Sequence, residues 1–576
     1  MNILGINFSN DSAASLVQNG HVVAASQEER FTRQKHDASF PVRAIDYCLK
    51  AGGIRMDDVD EVAFFWNPGI HAETYSRSSR DRRHHLEFLY DVPNALLSRY
   101  FDGRAVEGVR QEFALSGGGK RRLGIEYVTH HLAHVAAAFY RSNYERAAVL
   151  IIDGYGEKSS ATIARCHGTT IEPLRSIEFP HSLGSFYAAF TQYLGFKANS
   201  GEGKVMGLAS YGGPSEYLEK IRKLVRLTED GFEIDLNVFS YFVERPRRYN
   251  QRLIDLLGPE RRPESPLTQR DYDIAYAMQS VTEEAMLHLA RLARELTGET
   301  KLCMAGGVVL NCVANGRILR EVGFESCYFL PCAGDAGTSM GAALYVAHKL
   351  GEPRVHHPDI DTLGPEYSNV AIEAELQRGR VPYMALANTT EAAAAAIADG
   401  RIIGWFQGRA EFGPRALGNR SILCDPRLPD MKDVLNARVK FREPFRPFAP
   451  SILEEASSTY FDDLGVPSPF MLVVSNTRPE HLEALASVTH VDGGARVQTV
   501  NKAQSARYYE LISAVGRKTG VPCVLNTSFN IRGEPIVHSP SDAMKCYFTT
   551  DMDLLFVGDF VVYKDRAMAD RYCQPA

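Results

Sequence analysis

The sequence predicts a two-domain protein of mixed α/β class, and three observations carry that reading. Strand-like runs end on glycine- or carboxylate-bearing turns at Asn2 to Ser12, Ala147 to Gly156 and Leu302 to Gly307. Helical stretches lie between them, the clearest from Asp271 to Leu296, where apolar residues recur at helical spacing before Gly298. A Pro-, Gly- and polar-rich passage, GEPRVHHPDIDTLGPEYSN from Gly351 to Asn369, then separates this part from a second of different character.

The elements follow in order. Asn2 to Phe8 alternates as a strand, turns through Ser9-Asn10-Asp11-Ser12, resumes from Ala13 to Gln18, reverses at Asn19-Gly20 and resumes from His21 to Ala25. Ala147 to Ile152 is an unbroken apolar strand that exits through Asp153-Gly154-Tyr155-Gly156, and Leu302 to Ala305 ends on Gly306-Gly307. The second part opens with a helix-like Thr390 to Asp399 and a strand from Arg401 to Phe406. Three loops follow, GRAEFGPRALGNRS, FREPFRPFAPS (441 to 451) and LNTSFNIRGEPIV (525 to 537). Arginine, asparagine and serine recur there beside glycine and proline, which is poor core material and good anion-binding material. Domains are therefore placed at 1–350 and 386–576, with 351–385 as the linker.

The totals bound the function. A chain of 576 residues, 45% hydrophobic and 23% charged, has the composition of globular protein with apolar material for at least two cores. A net charge of −6 gives no overall attraction to a polyanion, so neither nucleic acid nor a membrane surface is expected as a partner and a small molecule is. The ten cysteines are scattered without a C-x-x-C pair, which argues against zinc knuckles and disulfide scaffolds. The first residues run straight into a strand pattern, and no apolar run approaches the roughly 18 residues of a membrane span, so a cytoplasmic protein is expected. A homodimer is the base expectation for assembly.

His130 and His134, four apart in YVTHHLAH, share one helix face and can reach a single divalent ion; the plain alternative is a histidine-rich helix start. Asp153 leaves a buried-looking strand and Asp335 sits in AGDAGT, completing a mixed N/O set suited to Fe, Mn or Zn. Gly306 and Gly307, with the turns after the other two strands, fit a phosphate-and-nucleoside cleft, although a GG pair alone serves equally as a tight turn. On these residues a kinase or a chaperone ATPase stays open. In the second part Arg409, Arg415, Arg420, Arg442, Arg446 and Arg532 fall in or beside loops. Pro414-Arg415 and Arg446-Pro447 are pre-organised by their prolines, whereas Arg420 and Arg442 read as surface residues in ordinary salt bridges. Lys35, among charges of both signs, reads as part of a solvated helix face, and the basic runs Arg77 to His85 and Gly117 to Arg122 as an exposed insertion.

Taken together, NDSAASLV, EERFTRQKHD, HHLAH, IIDGYGE, GEGKVMGLASYG, AGGVVLNCVANGR, AGDAGTSMGAA, GPRALG, RPFAPS and NTSFNIRGEP strongly resemble the O-carbamoyltransferase family of natural-product biosynthesis, which includes nodulation protein U and antibiotic-tailoring carbamoyltransferases. The resemblance covers essentially the whole chain. It implies an actin-like ATPase (TsaD-like) domain at 1–350 and a smaller α/β YrdC-like domain at 386–576. It also implies transfer of a carbamoyl group from carbamoyl phosphate, through carbamoyl-adenylate made with ATP, to a hydroxyl of a small-molecule acceptor. His130, His134, Asp153 and Asp335 become metal ligands, for iron, manganese or zinc, with magnesium accompanying ATP. Arg415, Arg446, Asn526, Ser528 and Arg532 become carbamoyl-phosphate or adenylate contacts, joined by Lys35 from the first domain. Asp153, Gly154, Gly156, Lys204, Gly306, Gly307, Asn311 and Asp335 line the nucleotide cleft.

One departure bears on catalysis. Many members of that family read His-Asp-Ser or His-Asp-Ala in the first turn, with the histidine as general base, where this chain has Asn10-Asp11-Ser12. Asparagine cannot take a proton near neutral pH, so the catalytic candidates are Asn10, Asp11 and Lys35, with Asp11 or a distant histidine as base. The alternatives are an amine acceptor, a tRNA threonylcarbamoylation-type enzyme, or an actin-like ATP-binding protein that has lost transfer. The acceptor pocket is expected between Trp66 and Gly119 and in neighbouring loops.

Overall fold

The computed structural model describes residues 1–68, 70, 108–114, 120–242, 246–358, 361–462 and 465–576. The chain divides into two compact units, Met1–Ala24 with Ser39–His357, and Ala25–Ala38 with Pro358–Ala576. Both are α/β, with mixed parallel and antiparallel sheets.

The first unit holds two sheets. One runs in the order His21–Gln27, Ala13–Gln18, Asn2–Asn7, Glu61–Phe64, Lys120–Tyr127, Val109–Ala114. Asn2–Asn7 pairs antiparallel with Ala13–Gln18 and parallel with Glu61–Phe64. The expected reversal at Asn19-Gly20 is present, both residues having positive φ (50° and 79°), the backbone a two-residue hairpin turn demands.

The other sheet runs Ser326–Phe329, Lys301–Ala305, Arg146–Ile152, Ser159–His167, Thr170–Glu178. Its central strand, Arg146–Ile152, is again flanked by an antiparallel hairpin on one side and a parallel strand on the other. The two sheets thus share this pattern, the first carrying one further antiparallel edge strand. Ala147 to Ile152 have no exposed surface, which is why that stretch reads as continuously apolar instead of alternating.

Two helices position the site. His130–Arg141 packs on the second sheet, Ala336–Lys349 packs on the first, and the two pack on each other. Their approach depends on Gly341, where an added Cβ would run into the Ala133 carbonyl. The long helix Gln269–Thr297, started by a Thr268/Asp271 capping box and stopped by left-handed Gly298, lies where the periodicity predicts. Among the described residues no helix is long and apolar enough to cross a membrane.

The second unit is built on an eight-stranded sheet, in the order Tyr383–Ala385, Phe560–Tyr563, Leu554–Val557, Ile403–Phe406, Arg420–Cys424, Cys523–Ser528, Ala449–Leu453, Gln498–Val500. Trp405, Val524, Leu554 and Phe556 pack with Ile397, Leu511 and Val515 from the helices Thr389–Ala398 and Ala506–Thr519. Within the stretch 351–385, expected as linker, the helix Asn369–Gly379 and the strand Tyr383–Ala385 belong to this unit.

Lys35 requires a correction. Its segment, Ala25–Ala38, groups with the second unit and not with the first. The reason is hydrogen bonding. Arg30 Nη2 donates to the Gly413 carbonyl at 2.6 Å, and Arg33 donates to the carbonyls of Ile536 at 2.6 Å and Pro535 at 2.9 Å.

Candidate metal centre and anion-binding site

The helix His130–Arg141 begins against a buried acid. Glu157 accepts the backbone N–H of His130 at 3.0 Å and that of Asn67 at 2.6 Å, placing negative charge at the positive end of the helix dipole. Four residues along, the i and i+4 histidines face Asp153, which leaves the central strand of the second sheet. His130 Nε2 lies 3.0 Å from Asp153 Oδ2 and 3.7 Å from Asp335 Oδ1, and His134 Nε2 lies 3.9 Å from Asp153 Oδ2. One donor atom from each of the four falls within 4.8 Å of all the others.

Each ligand is held by a separate device. Asp153 Oδ1 accepts the Gly307 N–H at 2.8 Å, and Gly306, at φ 97°, turns the chain tightly over Ile152, whose carbonyl leaves no room for a Cβ. Asp335 stands at the start of Ala336–Lys349 and accepts from Ser9 Oγ at 3.0 Å, while Asn7 donates to the Asp335 carbonyl and to Thr338 Oγ1. His131, between the two ligands, points elsewhere and pairs with Thr162 Oγ1 at 2.8 Å.

The residues fit a divalent ion. Both ring nitrogens of fully buried His134, and Nδ1 of His130, have no hydrogen-bond partner. Burying such groups without a partner is costly unless they bind something. Burial, reinforced by the His130 charge, holds His134 far below the usual imidazole range, so it is a neutral lone-pair donor. Burial opposes a charge on His130 too, but Asp153 and Asp335 outweigh it and raise His130 to about 9. Asp153, despite its burial, is kept ionised by the His130 hydrogen bond. Burial, with the charges of Asp153 and Asp11, lifts Asp335 to about 6. The carboxylates are thus neutralised by a proton that a metal would displace. Asp335 keeps 31% of its side chain exposed, so the cluster has an accessible side.

The expected nucleotide residues divide. Asp153 and Asp335 are in this cluster with Gly306 and Gly307 beside it, but the Gly307 N–H is already bonded to Asp153. Asn311 caps the helix Cys312–Glu321 and exchanges two amide bonds of 3.0 Å with Gln279. Gly154 lies against Ser182, which donates to its carbonyl; Gly156 packs close to His130; and Lys204 lies over the Phe196 ring at 5.5 Å. In the first turn Asn10 is exposed and Asp11, half-buried, bears on Asp335. Trp66 lies 5.6 Å from the His130 ring, whereas 71–107 and 115–119, with the run Arg77 to His85 and Gly117 to Gly119, fall outside the described residues.

The second unit gathers several cations, with Lys440 buried and Arg442, Arg446 and Arg496 half-buried. Lys440 Nζ donates to the Ser528 carbonyl at 2.7 Å, the Asn530 carbonyl at 2.9 Å and Asn530 Oδ1 at 2.7 Å, all uncharged oxygens. Burial, then the charges of Arg442, Arg446 and Lys35, holds it well below the usual lysine range. Arg442 is held down likewise by burial and by Arg446 and Arg496, and Arg446 by burial, Arg496 and Arg532. Glu443 offsets part of this, lying 3.9 Å from Arg446 and 3.7 Å from Arg532. Like charges gathered in a desolvated place repel unless an anion joins them, and guanidinium forks suit phosphate.

Arg446, Ser528, Arg532 and Lys35 of the expected set are therefore brought together, and Lys440, Arg442 and Arg496 join them. The reading of Arg442 as a surface residue is corrected: it stacks on Phe448 at 4.4 Å and bonds Asn436 Oδ1 at 2.9 Å. Arg420 is corrected as well. It has no exposed surface, lies 3.6 Å over the Phe406 ring, and donates to the carbonyls of Gln407, Gly408, Asn419 and Pro365. Asn526 is buried beneath the loop of Arg415, donating to the Ala416 carbonyl at 3.1 Å and Ser451 Oγ at 3.0 Å. That loop is shaped by Glu411, one of whose oxygens accepts the N–H groups of Leu417, Asn419 and Arg420. Arg409 is committed to the carbonyls of Leu363 and Gly364.

The family model described as Carbamoyltransferase N-terminus matches residues 2–344, and Carbamoyltransferase C-terminus matches 394–564. The chain belongs to the carbamoyltransferase family. This carbamoyltransferase is 42% identical to an uncharacterized protein of Synechocystis sp., over 98% of its own length and 96% of the relative's. It is 38% identical to nodulation protein NolNO of Sinorhizobium fredii, over 99% and 81%, and 30% identical to nodulation protein U of Rhizobium tropici, over 92% and 91%. Solved structures superpose loosely on this enzyme. Component A of (R)-2-hydroxyglutaryl-CoA dehydratase from Acidaminococcus fermentans covers 61% of the chain and 98% of its own at 14% identity and a TM-score of 0.33. Full-length HypF covers 61% and 56% at 16% identity and a TM-score of 0.32.

Proposed function

We propose that this carbamoyltransferase activates carbamoyl phosphate with ATP and passes the carbamoyl group, through carbamoyl-adenylate, to a hydroxyl of a small-molecule acceptor. The observation that carries the reading is the cluster of buried Lys440, which bonds Ser528, with half-buried Arg442, Arg446 and Arg496. Several cations drawn close together, with Glu443 offsetting part of their charge, are suited to a phosphate-bearing substrate. The shared strand pattern of the two sheets in the first unit supports an actin-like ATPase fold there, and the basic loops of the second support a YrdC-like role.

In this scheme Arg446, Arg442 and Lys440 hold the phosphate of carbamoyl phosphate. Carbamate, freed as phosphate departs to water, attacks the α-phosphorus of ATP through an oxygen and expels pyrophosphate. The acceptor hydroxyl then attacks the carbonyl carbon, and AMP leaves with the bonding pair. His130, His134, Asp153 and Asp335 would hold a divalent metal, supplying positive charge against nucleotide phosphates. Asp11, beside Asp335, receives the hydroxyl proton in place of the histidine that Asn10 replaces. An amine acceptor, which needs less activation, is the second reading that Asn10 favours.

The test is pyrophosphate release by purified protein with ATP, divalent metal and carbamoyl phosphate. Release that requires carbamoyl phosphate supports the proposal; its absence across Fe, Mn, Zn and Mg sinks it.

A further inference from the structure

The short helix Glu29–Thr32 ends in a backbone conformation that glycine ordinarily supplies. Arg33, its cap, lies in the left-handed region at φ 62°, and His36 repeats that conformation at φ 56°. A residue with a Cβ is unfavourable there, and this turn places one on each side of Gln34 and Lys35. Such a backbone persists only where its surroundings over-determine it.

Two side chains do so. The Arg33 guanidinium donates through Nη1 to the Ile536 carbonyl at 2.6 Å and through Nη2 to the Pro535 carbonyl at 2.9 Å, and its Nε faces Asp542 at 3.6 Å. Glu29 Oε2 accepts the His36 N–H at 2.8 Å, while Glu29 Oε1 pairs with Arg30 at 3.1 Å, both of these side chains being buried. Arg30 in turn fastens the helix to the Gly413 carbonyl, immediately before Pro414-Arg415.

These contacts lead to the cation cluster. Pro535 and Ile536 close the loop 525–537, where Asn530 Nδ2 donates to the Glu534 carbonyl at 2.7 Å and Asn530 Oδ1 accepts from Lys440 Nζ at 2.7 Å. Lys35, two residues past Arg33, is exposed and near enough for its ammonium to oppose a charge on Lys440. Repulsion from such neighbours drives a flexible lysine outward, so a fixed backbone beneath it limits how far it can withdraw.

We infer that Arg33 is a positioning residue: with Glu29 it holds the turn 33–36 so that Lys35 is presented to the phosphate site of Lys440, Arg442 and Arg446. This rests on the proposed reading of that cluster as the carbamoyl-phosphate site. Arginine serves at this left-handed cap because its planar fork satisfies two adjacent carbonyls at once, which the compact ammonium of lysine does not.

A double-mutant cycle on the full chain tests it, with carbamoyl phosphate binding measured by calorimetry without ATP and thermal melts run alongside. Arg33→Gly introduces the residue favoured at a left-handed cap, so the fold is kept while the fork is lost. It is expected to weaken carbamoyl phosphate binding on the order of tenfold, and Arg33→Lys, which keeps the charge, to weaken it similarly. Lys35→Ala is expected to weaken binding as well, and adding Arg33→Gly to it to bring no further loss. Wild-type affinity in Arg33→Lys would make the side chain a charge and not a clamp, and overturns the inference. Additive losses in the double variant, or wild-type affinity in Lys35→Ala, overturn it too, because Arg33 would then act through something other than Lys35. A wild type that binds carbamoyl phosphate but releases no pyrophosphate sinks the reaction scheme alone and leaves this cycle readable; one that binds none sinks both.

Discussion

Glu157 and His130 are joined by a 3.0 Å bond from the His130 backbone N–H to the Glu157 carboxylate, so a buried acid secures the first turn of the helix that carries both candidate histidine ligands. Replacing Glu157 by alanine is expected to cost about 1–3 kcal/mol and to weaken metal binding roughly 10–100-fold, because a misplaced first turn misplaces His130. Thermal melts and metal titration check this. Wild-type metal affinity in Glu157→Ala would separate the cap from the site.

His134→Ala and Asp335→Ala should each abolish bound metal in elemental analysis of the purified protein. The two residues come from different helices, and Asp335 contributes from the more exposed side. Full metal content in both variants would remove the proposed centre.

The metal-free protein should lose stability as pH rises from about 6.5, the ordinary imidazole value, towards 9. His130 is raised to about 9 in the fold, so the stability its proton contributes is fully present below about 6.5 and gone once pH passes about 9. Metal affinity should climb across the same window, because the ion and the proton compete for Nε2. A flat melting temperature between pH 6.5 and 9 without metal would contradict the assignment.

Arg446→Met should abolish carbamoyl-phosphate-dependent pyrophosphate release while leaving the anion-free protein as stable as the wild type or slightly more so, since a side chain one-third exposed has its repulsion screened by solvent. The reason is that the methionine relieves repulsion from Arg442, Arg496 and Arg532. A clear loss of stability would instead mark Arg446 as half of a structural ion pair with Glu443.

Arg420→Ala should destabilise the second unit by about 3 kcal/mol or more, since four carbonyls lose a donor and the Phe406 ring loses its cover. Chemical denaturation measures it. A change under about 0.5 kcal/mol would restore the surface reading of this residue.

Legibility tracked sequence distance. His130 and His134 are four apart, and their shared face follows from helical spacing alone. Asp153 and Gly306 sit at strand ends that hydrophobic pattern locates. Glu157 stands in IIDGYGE, but nothing local says that its carboxylate will meet an N–H from the start of a distant helix. Lys440 and Arg442 are illegible for the same reason. In one dimension an arginine in a loop looks alike whether it is solvated or stacked on Phe448.

The sequence by itself determined the α/β class, the strand and hairpin positions and, through its motifs, the carbamoyltransferase resemblance, and it offered the candidate metal-ligand set, all of which rest on local spacing or short contiguous patterns. Only the tertiary structure decided that Lys35 sides with the second unit, that Asp335 at a helix start comes close to Asp153 at a strand end, and that half-buried Arg442, Arg446 and Arg496 gather around buried Lys440. Burial and charge proximity are sums over neighbours drawn from distant parts of the chain, and no local pattern carries that sum.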